Sequence, residues 1–220
     1  MSREERAKAM RFWRHDDRDR YLASHAMLRL VLSRYVGALP GELEFEVEGN
    51  GKPRLRREPN VHLSFNLAHS GDFALLAVSD APAVGVDIEE LRDDMDVPVL
   101  AGSVLSDAEM RVFRDAPAQE QRSLFFRTWV RKEAVLKGCG LGLALEPARV
   151  VVLHAETNGD AGLVTVEAGK AEWGLRDVAV GDRYAGAVAA PGRAWTLRCF
   201  EHRWSEVTPF LDAPAQETRS

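Results

Sequence analysis

Cysteine is scarce in this chain: two in 220 residues, Cys139 beside a run of glycines and Cys199 in an apolar segment. That leaves no disulfide framework and no paired-thiol metal spacing, and it fits a reducing cytoplasm. No apolar run approaches the ~20 residues that cross a bilayer, and the first eight residues are charged where a secretory leader has to be apolar. Positive charge is in deficit as well. The 29 Lys and Arg stand against 34 Asp and Glu, a net charge of -5, which argues against a general nucleic-acid binder and makes any phosphate site local.

Glycine and proline are missing from residues 118–137, between Pro117 and the glycines at 138, 140 and 142. Within that stretch Phe126, Trp129, Val130 and Leu136 recur at helical spacing, so it reads as a helix. Glu133 and Lys137 stand one turn apart on a face that continues the Phe126/Trp129/Val130 stripe, which predicts a partly buried carboxylate. The plain alternative is an ordinary helical ion pair worth about 0.3–0.5 kcal/mol.

A second acidic feature lies upstream. In Val84-Gly85-Val86-Asp87-Ile88-Glu89, strand alternation sends the three β-branched residues to one face and Gly85, Asp87 and Glu89 to the other. The two carboxylates then project from positions roughly 6.5–7 Å apart, with Gly85 leaving room for a ligand. An edge strand decorated with acids is the competing reading. If this strand lies beside the Glu133 helix, the oxygens of Asp87, Glu89 and Glu133 converge into a hard site for Mg²⁺, and no His or Cys set competes for zinc. Lys137 would face the phosphates such an ion shares, so phosphoryl-type transfer is the expected chemistry.

The remaining pattern is helical, then sheet-rich. Apolar residues from Met10 to Leu32 suggest a helix in two pieces joined near His15–Arg20. Asp16, Asp17 and Asp19 lack the glycine and glutamate of a calcium loop and read as capping, solvated acids. Arg20, with Arg14, Arg18 and Lys8, offers cations for a phosphate, beside the commoner reading of exposed surface arginine. Residues 42–48 alternate as a strand, and Asn50-Gly51 turns the chain with Lys52 projecting and Pro53 following. A hairpin of 61–67 and 73–78 carries His69 at its tip, either solvated or touching a ligand. Ser106-Asp107-Ala108-Glu109 is a capping box that starts a short helix. Segments 149–153, 163–166, 175–180, 184–189 and 195–200 are strand-like, with turns at Asn158-Gly159 and Gly181-Asp182.

One echo bears on architecture. Ser70-Gly71-Asp72-Phe73, leading through an apolar strand to Ala81-Pro82, resembles Gly181-Asp182-Arg183-Tyr184 leading to Ala190-Pro191. The expected fold is α+β, with two similar pseudo-twofold lobes, each a helix packed on a small, mostly antiparallel sheet, and the active site in the cleft between them. The expected boundaries are 1–83, 84–205 and a C-terminal tail at 206–220.

Gly85-Val86-Asp87-Ile88-Glu89, then Trp129-Val130-Arg131-Lys132-Glu133-Ala134-Val135-Leu136-Lys137 running into Gly140-Leu141-Gly142-Leu143, resembles the paired signature of Sfp-type phosphopantetheinyl transferases. Gly51-Lys52-Pro53 and Phe65-Asn66-Leu67-Ala68-His69-Ser70 match in the family's order. The resemblance implies transfer of the 4'-phosphopantetheine arm of coenzyme A to a serine of an acyl or peptidyl carrier domain, with release of adenosine 3',5'-bisphosphate. It also implies two pseudo-twofold lobes. By position, Asp87, Glu89 and Glu133 would arrange Mg²⁺ on the pyrophosphate, and Glu133 would also take the serine proton. Lys137 would hold phosphate and help the leaving group. Lys52 and Pro53 would line the adenine, and His69, Arg20 and Lys8 would contact the phosphates of coenzyme A; the motif gives Lys132 no clear role.

Three departures accompany the match: Ala68 where a serine often precedes the histidine, Val130 where Ser, Thr or Cys is usual, and no strand ahead of the first helix. The first predicts a missing phosphate hydrogen bond, the second an effect on packing, and the third a smaller first sheet or a truncated start. A Mg²⁺-dependent nucleotide pyrophosphate hydrolase and a non-catalytic carrier-binding module remain as alternatives. The expected protein is a cytoplasmic monomer without nucleic-acid or membrane partners.

Overall fold

A computed structural model of the protein describes residues 1–47, 49, 51–56, 63–140, 145–152, 162–166 and 171–205. Glu48, Asn50, Val61, His62, residues 141–144, Leu153, the Asn158-Gly159 turn and the tail from 206 lie outside the described residues. Two compact units divide the chain: Met1–Glu44 with the described residues from Leu197 on, and Phe45–Thr196.

The smaller unit holds α1 (Arg3–Ala9) and α2 (His15–Val36). Ser2 and Glu5 form a capping box at the start of α1. The His15–Arg20 cluster, expected between helical pieces, instead opens α2. Its acids Asp16 and Asp17 occupy the first turn, where the helix dipole favours them. Gly37, at φ 70°, ends α2. Arg29 is buried and holds the unit together. Its guanidinium donates to Glu5 at 2.9 Å and to the carbonyls of Pro40 and Leu43 at 2.8 and 2.9 Å. Burial alone would raise the Glu5 carboxyl, but the Arg29 bond holds it below its ordinary range.

The larger unit is built around α5 (Ala118–Cys139), which starts after Pro117 and stops at Gly140, φ 67°. Four strands form an antiparallel sheet in the order β5 (Gly85–Glu90), β8 (Tyr184–Pro191), β7 (Ala171–Asp177) and β6 (Gly162–Val166). Two antiparallel pairs complete the strands: β1 (Phe45–Val47) with β2 (Pro53–Leu55), and β3 (Ser64–Ser70) with β4 (Phe73–Ser79). Helices α3 (Val97–Val104) and α4 (Asp107–Asp115) precede α5, and a 3-10 turn spans Pro147–Arg149. The expected α+β class with small antiparallel sheets is borne out. The two echoed segments meet each other, with the Phe73 and Tyr184 rings 4.6 Å apart.

Small residues let α5 approach the sheet. A Cβ on Gly85 would lie 1.9 Å from the Ala134 carbonyl oxygen and 2.3 Å from the Gly138 nitrogen. The space beside Gly85, expected to be open for a ligand, is therefore filled by helix backbone. Gly138 is equally constrained, since an added Cβ would fall 2.4 Å from the Trp173 ring. Across the ladder, Gly85, Asp87 and Glu89 stand opposite Ala189, Ala187 and Ala185. Directly opposed residues share a face, so three alanines keep the α5 side of β8 shallow.

Two strand expectations fail for identifiable reasons. Residues 195–200 form no strand: the Trp195 indole donates to the Gly192 carbonyl at 3.2 Å, Arg176 lies over its ring at 4.9 Å, and Phe200 is exposed. Around 149–152 the backbone bonds to buried side chains instead of a neighbouring strand. The Lys132 ammonium donates to the carbonyls of Pro147 and Val150 at 2.9 and 2.5 Å, and the Val152 amide donates to Glu109 at 2.8 Å.

Lys132 is 0% exposed and pairs with Glu109 at 2.6 Å. Burial pushes its ammonium below the usual lysine range, and the neighbouring carboxylate works in the opposite direction. Glu109 also caps α4 through Ser106, so one ion pair joins α4, α5 and the 147–152 segment. Lys132→Met should lower stability by about 3–5 kcal/mol by leaving a buried carboxylate unpaired. Adding Glu109→Gln should restore part of that loss by removing the charge, and not all of it, because Gln has one acceptor oxygen where Glu109 accepts on both. Urea unfolding of the two variants checks this, and a double variant no more stable than Lys132→Met would contradict it.

Candidate active site

Alternation along β5 and one turn of α5 place the predicted acids and lysine in one neighbourhood. Asp87 is 3% exposed, and its Oδ1 accepts a hydrogen bond from Lys137 Nζ at 2.5 Å. Its Oδ2 is buried with no hydrogen-bond partner among the described residues, an uncommon state for a carboxylate. Burial pushes the Asp87 carboxyl up to about 7; Lys137 pulls it down, while Glu89 and Glu133 add to the rise.

The other two acids are half-buried and shifted in the same direction. Burial raises Glu89 despite the Ser70 hydroxyl, which donates to its Oε2 at 3.0 Å. Burial also raises Glu133; the Lys137 charge opposes that, and the Glu89 charge reinforces it. The Lys137 ammonium, which the plain alternative paired with Glu133 along the helix, reaches across to Asp87 on the strand. Its backbone is held in place, because the Lys137 and Gly138 carbonyls accept from Lys52 Nζ at 2.9 and 3.4 Å.

Lys52 also donates to the Val84 carbonyl at 2.9 Å, so its ammonium joins β5 to the C-terminal end of α5. A cation there complements the helix dipole. Pro53 is exposed on β2. His69 is exposed on β3, two residues before the Gly71-Asp72 turn rather than at the hairpin tip, and leaves the face opposite Ser70. Lys8 and Arg20 belong to the smaller unit: Lys8 Nζ lies 5.3 Å over the Tyr21 ring, and Arg20 pairs with Asp17 at 3.2 Å. Among the four central residues, Asp87, Glu89, Glu133 and Lys137 are electrostatically coupled.

Two supporting residues escaped the sequence reading. Asn66 Oδ1 accepts from the Val86 amide at 2.8 Å, and Ser70 Oγ accepts from the Glu90 amide at 3.0 Å. These side chains from β3 satisfy the edge of β5 that no strand pairs by main chain among the described residues. Their signal was the alternation Asn66-x-Ala68-x-Ser70, small and polar residues on one face of an otherwise apolar hairpin. Val130, the departure expected to affect packing, is buried in the core, and Ala68 is buried on the Asn66/Ser70 face.

Among the described residues, no three acidic, imidazole or thiol side chains stand in a ready metal cage. Mg²⁺ commonly takes only one or two protein carboxylates and leaves its other positions to water and substrate phosphates. Hard oxygen donors, the unpartnered Asp87 Oδ2 and three carboxyls raised by burial fit that demand. Asp87 and Glu89, with Glu133, are the residues that would hold the ion.

The shift at Asp87 carries a stability consequence. A carboxyl raised above its ordinary 3.8 stabilises the fold below that value, and the contribution is lost as pH climbs through about 7. In chelator, wild-type stability should therefore fall by on the order of 1 kcal/mol between pH 6 and 8. Asp87→Asn should remove most of that fall. Thermal melts across the range test this, and an unchanged slope in the variant would refute the assignment to Asp87.

Residues 83–189 match the model of the 4'-phosphopantetheinyl transferase superfamily, and residues 1–81 match that of a 4'-phosphopantetheinyl transferase N-terminal region. The 4'-phosphopantetheinyl transferase HetI of Nostoc sp. (strain PCC 7120 / SAG 25.82 / UTEX 2576) is 36% identical over 197 residues, 89% of this chain and 80% of that protein. The 4'-phosphopantetheinyl transferase psf-1 of Bacillus pumilus is 39% identical over 144 residues, 66% of this chain and 60% of that protein. A crystal structure of Thermotoga maritima holo-[acyl-carrier-protein] synthase overlaps 50% of this chain and 63% of that one, with a TM-score of 0.39 and 25% identity. With the acidic strand, the Glu133/Lys137 helix and both family matches in one continuous order, this chain belongs to the 4'-phosphopantetheinyl transferase superfamily.

Proposed function

We propose that the chain moves the 4'-phosphopantetheine arm of coenzyme A to a serine of an acyl or peptidyl carrier domain, using the acidic face of β5 and α5. The observation that carries this reading is the buried Asp87 carboxylate, unpartnered at one oxygen and bonded to Lys137 at the other. Asp87, Glu89 and Glu133 would hold a divalent cation there, and such an ion would supply charge neutralisation to a pyrophosphate. Glu133, its proton affinity raised by burial, accepts the proton of the carrier serine directly or through water. The serine oxygen then bonds to the phosphorus that bears the pantetheine arm. The phosphoanhydride bond breaks, and its electron pair leaves on adenosine 3',5'-bisphosphate. Lys137 neutralises the phosphate charge that develops on the leaving side.

Motif position supports the remaining roles. Pro53 and the aliphatic stem of Lys52 would line the adenine, while Lys8, Arg20 and His69 would meet the phosphates of coenzyme A. Lobes at 1–83 and 84–205 are supported by the two family matches, which meet near residue 82. Lys52 and Ser70 of the first lobe reach Lys137 and Glu89 of the second, in keeping with a site where these segments meet. The protein would act as a cytoplasmic monomer, since all three carboxylates and the lysine come from one chain. No helix among the described residues is long and apolar enough to cross a membrane.

Intact mass of an apo carrier domain after incubation with the protein, coenzyme A and Mg²⁺ tests the proposal, with a chelated control. The carrier should gain one phosphopantetheine arm, and Glu133→Gln should slow the gain by roughly a hundredfold or more. Coenzyme A cleaved without a carrier would favour a pyrophosphate hydrolase. No reaction with fatty-acid, polyketide or peptide carriers would favour a non-catalytic carrier-binding module.

A further inference from the structure

We propose that Lys137 is a placeholder cation. Without ligand, its ammonium holds the Asp87 carboxylate that a divalent cation would take, and it releases that carboxylate only when a phosphate is offered in exchange. The inference rests on the assignment of Asp87 as a metal-holding residue and extends it to the order in which ligands enter.

Four observations carry it. Lys137 Nζ stands 2.5 Å from Asp87 Oδ1, so the most buried carboxylate of the cluster already has a positive partner. Asp87 is buried, and its second oxygen has no hydrogen-bond partner among the described residues. The Lys137 side chain is about one-third exposed, which gives the ammonium a way out of the pair. Its main chain is fastened, because the Lys137 carbonyl accepts from Lys52 Nζ at 2.9 Å and from the Gly140 amide at 3.3 Å. The structure therefore separates a fixed backbone from a displaceable side chain.

Electrostatics sets the consequence. A dication on Asp87 Oδ2 would face the Lys137 ammonium on Oδ1 across a single carboxylate, and the two charges repel. Nor do three acidic, imidazole or thiol side chains among the described residues stand preassembled to hold the dication against the lysine. A pyrophosphate changes both conditions: its oxygens complete the metal's ligands, and its charge gives the displaced ammonium a new partner. Divalent cation and coenzyme A then bind with positive coupling, and linkage makes the coupling reciprocal.

The test is a calorimetric titration of Mg²⁺ alone into wild type, Lys137→Gln, Lys137→Arg and the double variant Lys137→Gln with Asp87→Asn, repeated with saturating coenzyme A. Circular dichroism and thermal melts confirm folding of each. Without coenzyme A, wild type and Lys137→Arg should bind Mg²⁺ weakly, and Lys137→Gln should bind roughly ten- to a hundredfold more tightly. The double variant should lose that gain. Coenzyme A should tighten Mg²⁺ binding more in wild type than in Lys137→Gln. The proposal is overturned if Lys137→Gln binds Mg²⁺ alone no better than wild type, if Lys137→Arg matches the tight variant, or if the double variant keeps the gain. Carrier modification by wild type, measured beside it, separates the two readings. Modification without the Mg²⁺ gain sinks the placeholder alone, whereas the gain without modification sinks the transfer reaction alone.

Discussion

The close approach of a helix to a strand is the constraint on which the rest of the larger unit depends. Helix α5 can lie against β5 because Gly85 has no side chain where the Ala134 carbonyl and Gly138 nitrogen sit, and Gly138 has none where Trp173 sits. Only at that spacing does Lys137 reach Asp87 at 2.5 Å. The glycines therefore act on the chemistry without touching it. Helix rotation is fixed separately, by Lys132 paired with Glu109 on one side and Arg131 paired with Asp177 at 2.6 Å on another.

The acidic cluster works against folding in isolation. Burial raises Asp87, Glu89 and Glu133 together, the Glu89 and Glu133 charges add to the rise at Asp87, and the Glu89 charge adds to that at Glu133. A domain with no use for these groups would bury apolar side chains instead. Stability comes from elsewhere in the unit, where Phe125, Phe126, Val130, Val135 and Leu175 are buried in one continuous apolar cluster. Part of the fold thus offsets a site whose charges are poised for a cation and an anion that arrive from outside.

The central site was legible because two short-range periodicities set it. A helical turn aligns Glu133 with Lys137, strand alternation aligns Asp87 with Glu89, and neither depends on distant contacts. The partner Lys137 would choose was not legible, since Glu133 is its neighbour in sequence and Asp87 only in space. Lys132 shows the same limit: its motif position was plain, but its partners lie on α4 and in the 147–152 segment. Helix α3 went unread although Asp96 caps it and Pro98 sits in its first turn, because its short apolar run has no clear period. The strand-like run at 195–200 failed for the opposite reason: β patterning without a partner strand makes no ladder. Lys52 was expected beside a ligand, and its ammonium proved to bind three backbone carbonyls, a role that no local pattern announces.

The seam between β3 and β5 differs in kind from the sheet ladders. Val86 and Glu90 give their amide hydrogens to the side chains of Asn66 and Ser70, so amide and hydroxyl groups replace main-chain carbonyls along that edge. Such a seam loosens by rotation about side-chain bonds while every strand keeps its own ladder intact. Solvent exchange at those two amides would then report the local opening of the seam, separately from the global unfolding that releases the sheet. Because Ser70 holds Glu89 as well as the Glu90 amide, the same opening would free one of the three acids. The breathing of the protein and the freedom of its acidic site are thus written into the same hydroxyl.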